Sequence, residues 1–209
     1  MKALLIGGTG NISLPITRKL LAQGWQVTLL NRGTKNNLVP GAEHIQCDIN
    51  DEQAAQLALQ GRTFDVAAQF IAFKQEQVER DIRLLKGKTG QYIFISSASA
   101  YIKPLRNRII TESTPLSNPY WQYSRDKIAC ETALNAARDS SGFPMTIVRP
   151  SHTYGLGALP LSIHGGKGPW QVIQRILQEK PVLIPGDGTS LWTVTWADDF
   201  ADAFIGLMG

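Results

Sequence analysis

The chain has 209 residues, of which 43% are hydrophobic and 18% are charged, and its formal net charge is +4 at pH 7. This length supports one sizeable core and the beginning of a second small lobe, and the composition is typical of a soluble globular protein. The apolar run before Gly7 is too short for a signal sequence or a bilayer span, so we expect a cytoplasmic protein. The positive net charge favours mild attraction to phosphate-bearing partners.

Short apolar runs alternate with helical patterns over the first 150 residues. This alternation is typical of βαβ units around a parallel sheet. The predicted strands lie near residues 3–6, 27–30, 44–46, 64–68, 92–95 and 146–149, and the predicted helices near residues 11–23, 51–59, 75–85 and 121–140. The sequence therefore predicts an α/β fold with a doubly wound, Rossmann-type parallel sheet.

Glycine and proline become frequent after Pro150, and such long irregular connections are often functional loops. A helix is predicted at 170–178, a strand at 182–184, a turn at 185–188 and a last helix from residue 198. We therefore expect an NAD(P)-binding Rossmann domain at 1–150. Residues 151–209 are expected to be the truncated beginning of a small C-terminal substrate lobe, interleaved with the last elements of the Rossmann domain.

A glycine-rich loop joins the first strand to the first helix, running from Gly7 through Thr9, Gly10, Asn11 and Ile12. Glycine allows a tight turn and lets a pyrophosphate approach the main-chain N–H groups, and the helix N-terminus adds a partial positive charge. With a strand before it and a helix after it, this loop predicts a dinucleotide site rather than an ordinary glycine turn.

The residue that ends the second strand discriminates between the two nicotinamide cofactors. An acid there would bind the ribose 2′-hydroxyl of NAD, whereas a nearby arginine accommodates the 2′-phosphate of NADP. The sequence has Asn31 and Arg32 at this point, so we favour NADP over NAD, although Arg32 could equally be a surface residue.

Tyr123 and Lys127 are four residues apart in a predicted helix, so their side chains share one face and the ammonium can favour the phenolate. The rival phenol, Tyr120, has only Ser124 at that spacing. A serine-rich segment that includes Ser97 follows the fifth strand, where residues of a doubly wound sheet line the ligand crevice. A hydroxyl there can hold a substrate oxygen as charge develops.

Together these residues resemble the extended short-chain dehydrogenase/reductase family, in its NAD-dependent epimerase/dehydratase branch. The likeness covers almost the whole chain and depends on the order and spacing of its motifs. The motifs are Gly7-x-x-Gly10, Asp48-Ile49, the serine-rich end of the fifth strand, Tyr123-x-x-x-Lys127, and Arg149-Pro150 followed by Tyr154-Gly155.

By this resemblance, Ser97 polarises the substrate oxygen, Tyr123 is the general acid/base, and Lys127 tunes Tyr123 and holds the nicotinamide ribose. The resemblance also implies cofactor contacts with adenine from Asp48 and Ile49, with the pyrophosphate from Phe70, Ile71 and Ala72, and with the nicotinamide from Pro150 and Ser151. The segment from Phe70 to Ala72 also reads simply as the end of a buried strand.

Two residues depart from the family pattern. Ser13 replaces the third glycine of the phosphate loop, which should slightly loosen the packing of helix on sheet. Trp192 stands where sugar-nucleotide members usually carry an arginine that clamps the nucleotide phosphate, which weakens the case for a UDP- or GDP-sugar. Trp192 could instead stack on a planar ligand or simply pack.

The resulting hypothesis is an NAD(P)-dependent oxidoreductase of epimerase/dehydratase type, with Tyr123 taking a hydroxyl proton as hydride passes to the nicotinamide. We expect a small-molecule substrate, for which a sugar nucleotide is one candidate. The sequence does not discriminate between an epimerase, a dehydratase and a reductase. A homodimer is possible. No metal or membrane partner is expected.

The alternative is a non-catalytic nucleotide- or RNA-binding protein. The loop at residues 7–13 and the Asn-Arg-Gly at 31–33 also resemble a divergent epimerase-like subgroup whose plant relatives include chloroplast RNA-binding proteins. The basic run Arg80, Arg83, Lys86 and Lys88 would then be a nucleic-acid patch rather than a solvated helix face.

Overall fold

The computed structural model describes residues 1–33, 39–105, 107, 109–156, 158–161, 166, 168–189 and 191–209. Six strands form a parallel sheet in the order β3-β2-β1-β4-β5-β6, which confirms the predicted doubly wound fold. The strands are β1 Lys2–Ile6, β2 Gln26–Asn31, β3 Glu43–Gln46, β4 Phe64–Gln69, β5 Thr89–Ile95 and β6 Met145–Val148. The helices are α1 Ser13–Ala22, α2 Glu52–Ala58, α3 Gln75–Leu85, α4 Gln122–Ser141, α5 Trp170–Leu177 and α6 Ala197–Ile205.

Strand β1 lies at the centre of the sheet and is buried on both faces, as its unbroken apolar sequence requires. Because side chains alternate across a strand, Leu4 and Ile6 point into one core and Ala3 and Leu5 into the other. The two faces of the sheet therefore carry two separate hydrophobic cores.

Each core is closed by helices. Helices α3 and α4 cover one face, with Val78 and Leu134 among the buried residues. Helices α1 and α6 cover the other face, where Ile16 and Phe204 are buried. The strand order diverges on either side of the β1–β4 pair, and in such sheets the crevice at the carboxyl ends of the strands is the usual ligand site.

The predicted strand at 182–184 is wrong. Residues 182–184 have no regular secondary structure, and Leu183 and Ile184 are largely exposed. Instead, two three-residue strands, β7 His152–Tyr154 and β8 Val194–Trp196, pair in parallel. Both are too short to give a recognisable alternating pattern. In the described ranges, no helix has the length and apolar character needed to cross a bilayer.

Candidate active site

The loop between β1 and α1 brings the main chain unusually close to its neighbours. Gly7 has a φ of +83°, and a Cβ added to it would lie 2.5 Å from Cγ2 of Ile71. A Cβ on Gly8 would lie 2.5 Å from Cδ2 of Leu29. Both positions therefore require glycine, the first for its backbone conformation and both for space.

Ser13 closes this loop, contrary to the loosening expected from the loss of a third glycine. Its side chain is buried, and its hydroxyl donates to the carbonyl of Gly7 at 2.7 Å while accepting from the amide of Gly10 at 2.8 Å. The serine therefore ties the helix to the turn with two hydrogen bonds where a glycine would have none.

The loop also suits an anion. In the described part of the chain, the amides of Asn11 and Ile12 have no hydrogen-bond acceptor, and they lie at the N-terminal end of α1. Free amides at a helix N-terminus, together with the helix dipole, stabilise phosphate groups. The residues present therefore fit the pyrophosphate of a dinucleotide.

At the end of β2, the Arg32 side chain is exposed and the Asn31 amide nitrogen is buried without a partner among the described residues. Buried donors of this kind are rare and call for a ligand or a water. Just after the end of the neighbouring strand β3, Asp48 accepts two hydrogen bonds from Asn50, and Ile49 is buried in the core. Any adenine contact of Ile49 would therefore come from its main chain.

Residues 70–72 follow β4 rather than ending it. Phe70 packs against Phe204 on α6 with ring centroids 5.7 Å apart, whereas Ile71 is 40% exposed beside Gly7. Ala72 is buried, and its carbonyl accepts a hydrogen bond from Lys127. This segment therefore forms a wall between the phosphate loop and helix α4.

Lys127 is a buried cation, with only 2% of its surface exposed. Its ammonium donates to the carbonyls of Ala72 and Ile95, both at 2.7 Å, and lies 4.8 and 4.6 Å from the ring centroids of Phe73 and Phe94. Burial lowers the pKa of Lys127 to about 8. An ammonium has three donors, so one remains for a ligand or a phenol.

Tyr123 stands one helical turn before Lys127, and its ring centroid is 5.7 Å from the ammonium nitrogen. The ring packs against Phe73 and Trp121. Burial raises the pKa of Tyr123, while the nearby Ser97 hydroxyl lowers it. The structure thus brings together the three side chains for which the sequence predicted catalysis.

Ser97 lies two residues after the end of β5 and caps a short 3-10 turn, Ala98–Ala100. Its hydroxyl oxygen is 2.9 Å from that of Ser99 and accepts from the Ser99 amide at 3.2 Å. The preceding Ser96 points the other way and donates to the buried Glu131, which is paired with the half-buried Arg149. Alternation along the strand end therefore separates the serine of the site from the serine of the core.

Sequence reasoning missed three polar residues behind Ser97. They are Ser99, Ser124 and Asn118, which form one continuous set of hydrogen bonds. The signal available was weak: Ser124 follows Tyr123 and so lies on a different side of the helix, and Asn118 precedes the helix in a loop. Neither spacing predicts a contact.

The remaining predicted residues lie at the end of β6. The Pro150 carbonyl accepts from the Ala98 amide at 2.9 Å, and the Ser151 hydroxyl donates to the carbonyl of Thr193 at 2.7 Å. Trp192 is 54% exposed and meets His152 edge to face at 5.9 Å. These contacts join the 3-10 turn to the segment that leads into β7 and β8.

Three comparisons with known proteins bear on this site. The model of the NAD dependent epimerase/dehydratase family matches residues 3–208. The chloroplast stem-loop binding protein of 41 kDa b from Arabidopsis thaliana is 28% identical over 222 residues, covering 100% of this chain and 55% of that protein. The 2′-dehydrokanamycin reductase of Streptomyces kanamyceticus is 24% identical over 209 residues, covering 100% of this chain and 58% of the reductase.

Among solved structures, the UDP-glucose 4-epimerase of Thermus thermophilus in complex with NAD superposes with a TM-score of 0.79 at 23% identity. The match covers 100% of this chain and 74% of the epimerase chain. At this identity the likeness establishes the fold. The chain spans a little over half the length of the two curated relatives.

Proposed function

The chain belongs to the NAD-dependent epimerase/dehydratase family, and we propose that it is an NAD(P)-dependent enzyme that moves a hydride and a proton at a carbinol or carbonyl carbon. The observation that carries this proposal is the convergence of Tyr123, Lys127 and Ser97 at the carboxyl ends of the strands. Lys127 contacts Ala72, in the wall segment whose Ile71 lies against the phosphate loop. The acid/base group and the dinucleotide loop therefore share one crevice.

In this proposal Tyr123 accepts the proton of a substrate hydroxyl in the oxidative direction and returns it in the reductive direction. Ser97 donates its hydroxyl proton to the same substrate oxygen and stabilises the charge that develops there. Lys127 favours the ionised form of the phenol and offers its remaining N–H to the nicotinamide ribose. The bound nicotinamide supplies the hydride acceptor or donor.

The energetics require more than one source of positive charge near Tyr123. An ordinary tyrosine has a pKa of about 10, and bringing it to neutrality takes roughly 4 kcal/mol of differential stabilisation. Burial works against this by raising the pKa of Tyr123. The ammonium of Lys127 and the cationic ring of an oxidised nicotinamide together oppose that effect.

The proposed substrate is a small molecule with a secondary hydroxyl or a carbonyl group. The similar proteins include a reductase and a UDP-glucose 4-epimerase, so a sugar or a nucleotide sugar is the class to test first. Trp192 is exposed beside the segment that follows Ser151 and offers a flat apolar surface for such a ring. We propose that residues 151–209 contribute part of the lobe that binds it.

For the cofactor, we propose NADP, with Arg32 and the buried amide of Asn31 at the ribose phosphate. Calorimetric titration with NADP and NAD tests this choice. Arg32→Ala should weaken NADP binding about tenfold, equivalent to about 1.4 kcal/mol, and leave NAD affinity unchanged. Equal affinity of the wild-type chain for both cofactors would remove the argument for Arg32.

The catalytic assignment is tested by Tyr123→Phe. This change deletes the phenolic oxygen but keeps the ring between Phe73 and Trp121, so NADP affinity should persist while turnover of UDP-glucose or a simple ketose falls at least about 100-fold. Tyr120→Phe, on an exposed residue, is the matched control and should be fully active. A Tyr123→Phe variant with unimpaired turnover would overturn the assignment.

The second candidate function is RNA binding, which the 28% identity to a stem-loop binding protein favours. The predicted basic patch gives it little support, because Arg80 is buried against Asp81 and Arg83 is paired with Glu52. Filter binding to a stem-loop RNA across a salt series tests this function. RNA binding predicts tight association that weakens steeply with salt, whereas the enzyme proposal predicts weak association at physiological salt.

A further inference from the structure

The hydrogen bonds behind Ser97 run through three residues that neither the phosphate loop nor the acid/base pair uses. Asn118 donates to the Ser124 hydroxyl at 3.3 Å, Ser124 donates to the Ser99 hydroxyl at 2.9 Å, and the hydroxyl oxygens of Ser99 and Ser97 are 2.9 Å apart. Ser124 is fully buried, and Asn118 is 7% exposed. Bulk water therefore has little access to the start of this series.

Two main-chain groups determine which end of the Asn118 side-chain amide is the oxygen and which is the nitrogen. Its oxygen accepts from the amide of Tyr120 at 3.1 Å, and its nitrogen donates to the carbonyl of Ser99 at 2.8 Å. A main-chain N–H can only donate and a carbonyl can only accept. The group that faces Ser124 is therefore an N–H donor.

This fixed donor determines the direction of every hydroxyl after it. The Ser124 hydroxyl accepts a hydrogen bond from the Asn118 amide, so it donates its own proton in a hydrogen bond to Ser99. Among the described residues, the only side-chain oxygens bonded to the Ser99 hydroxyl are those of Ser124 and Ser97, so the Ser99 proton goes to Ser97. Ser97 then accepts from both the hydroxyl and the amide of Ser99, which occupies both of its lone pairs.

We propose that Asn118, acting through Ser124 and Ser99, is a positioning residue that obliges Ser97 to donate its proton outward, toward the oxygen of Tyr123 and the substrate oxygen. The part of this inference that concerns the substrate rests on the proposed function. The direction of the chain itself does not, because it follows from hydrogen bonds within the protein. Ser97 thereby becomes a fixed donor rather than a freely rotating hydroxyl, which favours negative charge on the oxygen it faces.

The test is the phenol pKa of Tyr123, followed by NMR with tyrosine labelled at Cζ in the full chain. The titratable groups that face this phenol are Lys127 and Cys130 on α4, and its aromatic neighbours Phe73 and Trp121 do not ionise. Asn118→Asp keeps the shape but replaces the donor with an acceptor, so the Ser124 proton turns away from Ser99. We expect the Tyr123 pKa to rise by about one unit.

A new carboxylate also raises that pKa through space, so the experiment is run as a double-mutant cycle with Ser124→Ala. If the effect passes through the chain, Asn118→Asp should shift the pKa by less than half as much in the Ser124→Ala background. An equal shift in both backgrounds, or no shift in either, would overturn the proposal. Ser140→Ala removes an exposed hydroxyl from the same helix and should leave the pKa unchanged.

The failure of this proposal and that of the proposed function are distinguishable. The cycle needs neither cofactor nor substrate, so it reports on the hydrogen-bond chain even if the protein has no turnover. A fully active Tyr123→Phe variant would refute the catalytic assignment without affecting the cycle. In an active enzyme, Asn118→Asp should lower kcat by about tenfold with little change in KM, since the interaction strengthens in the transition state.

Discussion

Lys127 shows how a single residue can be both structural and chemical. Its ammonium is surrounded by two carbonyls and three aromatic rings rather than by a carboxylate. Such dipoles compensate only part of the cost of removing a charge from water. The pKa of Lys127 is therefore low enough for the residue to lose its proton within an accessible pH range.

We predict that Lys127 titrates near pH 8, well below the ordinary lysine pKa of about 10.4, because burial has lowered its pKa. NMR of the full chain with lysine labelled at Nζ measures this, and Lys127→Met identifies the signal. Between pH 8 and 10 the unfolded chain binds more protons at this residue than the folded chain, so its contribution to stability rises with pH. A Lys127 signal that moves together with the exposed lysines would contradict the assignment.

In the turn from β1 to α1, the effect of the glycine backbone conformation can be separated from the effect of its close contacts. Gly7 and Gly24 have almost the same φ, +83° and +79°, but a Cβ at Gly24 meets nothing within 4 Å. The two positions therefore share the backbone strain of a substitution and differ in the collision with Ile71.

Gly24→Ala should cost about 1 kcal/mol of stability from the positive φ alone, with NADP affinity unchanged. Gly7→Ala should cost more, because Ile71 must move, and should also weaken NADP binding at least tenfold. Urea unfolding and calorimetry of the two variants measure both quantities. Equal behaviour of the two variants would mean that the close approach at Gly7 has no role in binding.

Helix α3 is anchored to the sheet by a buried carboxylate. Asp81 accepts hydrogen bonds from Arg80, from Gln69 at the end of β4 and from the Tyr92 hydroxyl on β5. The side-chain oxygen of Gln69 in turn accepts a hydrogen bond from the main-chain amide of Ile71 at 2.8 Å. The anchor therefore supports the wall segment as well as the helix.

We predict that Asp81→Ala destabilises the protein by about 3–5 kcal/mol, because it leaves a buried guanidinium and two polar groups without their acceptor. Asp139→Ala is the matched control, since Asp139 also pairs with the arginine before it but is 67% exposed. That change should cost less than about 1 kcal/mol. Similar unfolding midpoints for the two variants would contradict this account of the anchor.

For the whole molecule, the sequence predicted a doubly wound parallel sheet because short apolar runs alternate with helical patterns along the chain. The sequence also predicted that Tyr123 and Lys127 lie close together, because both are on one helix, where a spacing of four residues places side chains on the same face. It could not predict that Arg80 turns inward, since that depends on a partner supplied by folding. The positions of Asn118 and Ser99 were equally hidden, because contacts between loops leave no period in the sequence.

The same reasoning explains the errors in the C-terminal part. Residues 182–184 have a strand-like composition but little burial, whereas β7 and β8 form from three residues each. Short strands gain their stability from the chain they pair with and not from their own pattern. Helix α5 lies where the sequence predicted a helix, but its apolar side chains Ile176 and Leu177 are exposed.

We propose that a nicotinamide binds beside Tyr123, and titration of that phenol with and without oxidised NADP measures this directly. Saturating NADP should lower the Tyr123 pKa by at least about one unit, because a cation then lies near the phenolate. Reduced NADP, which lacks the ring charge, should lower it less. Failure of NADP to bind, or binding that leaves the Tyr123 pKa unchanged, would contradict the claim.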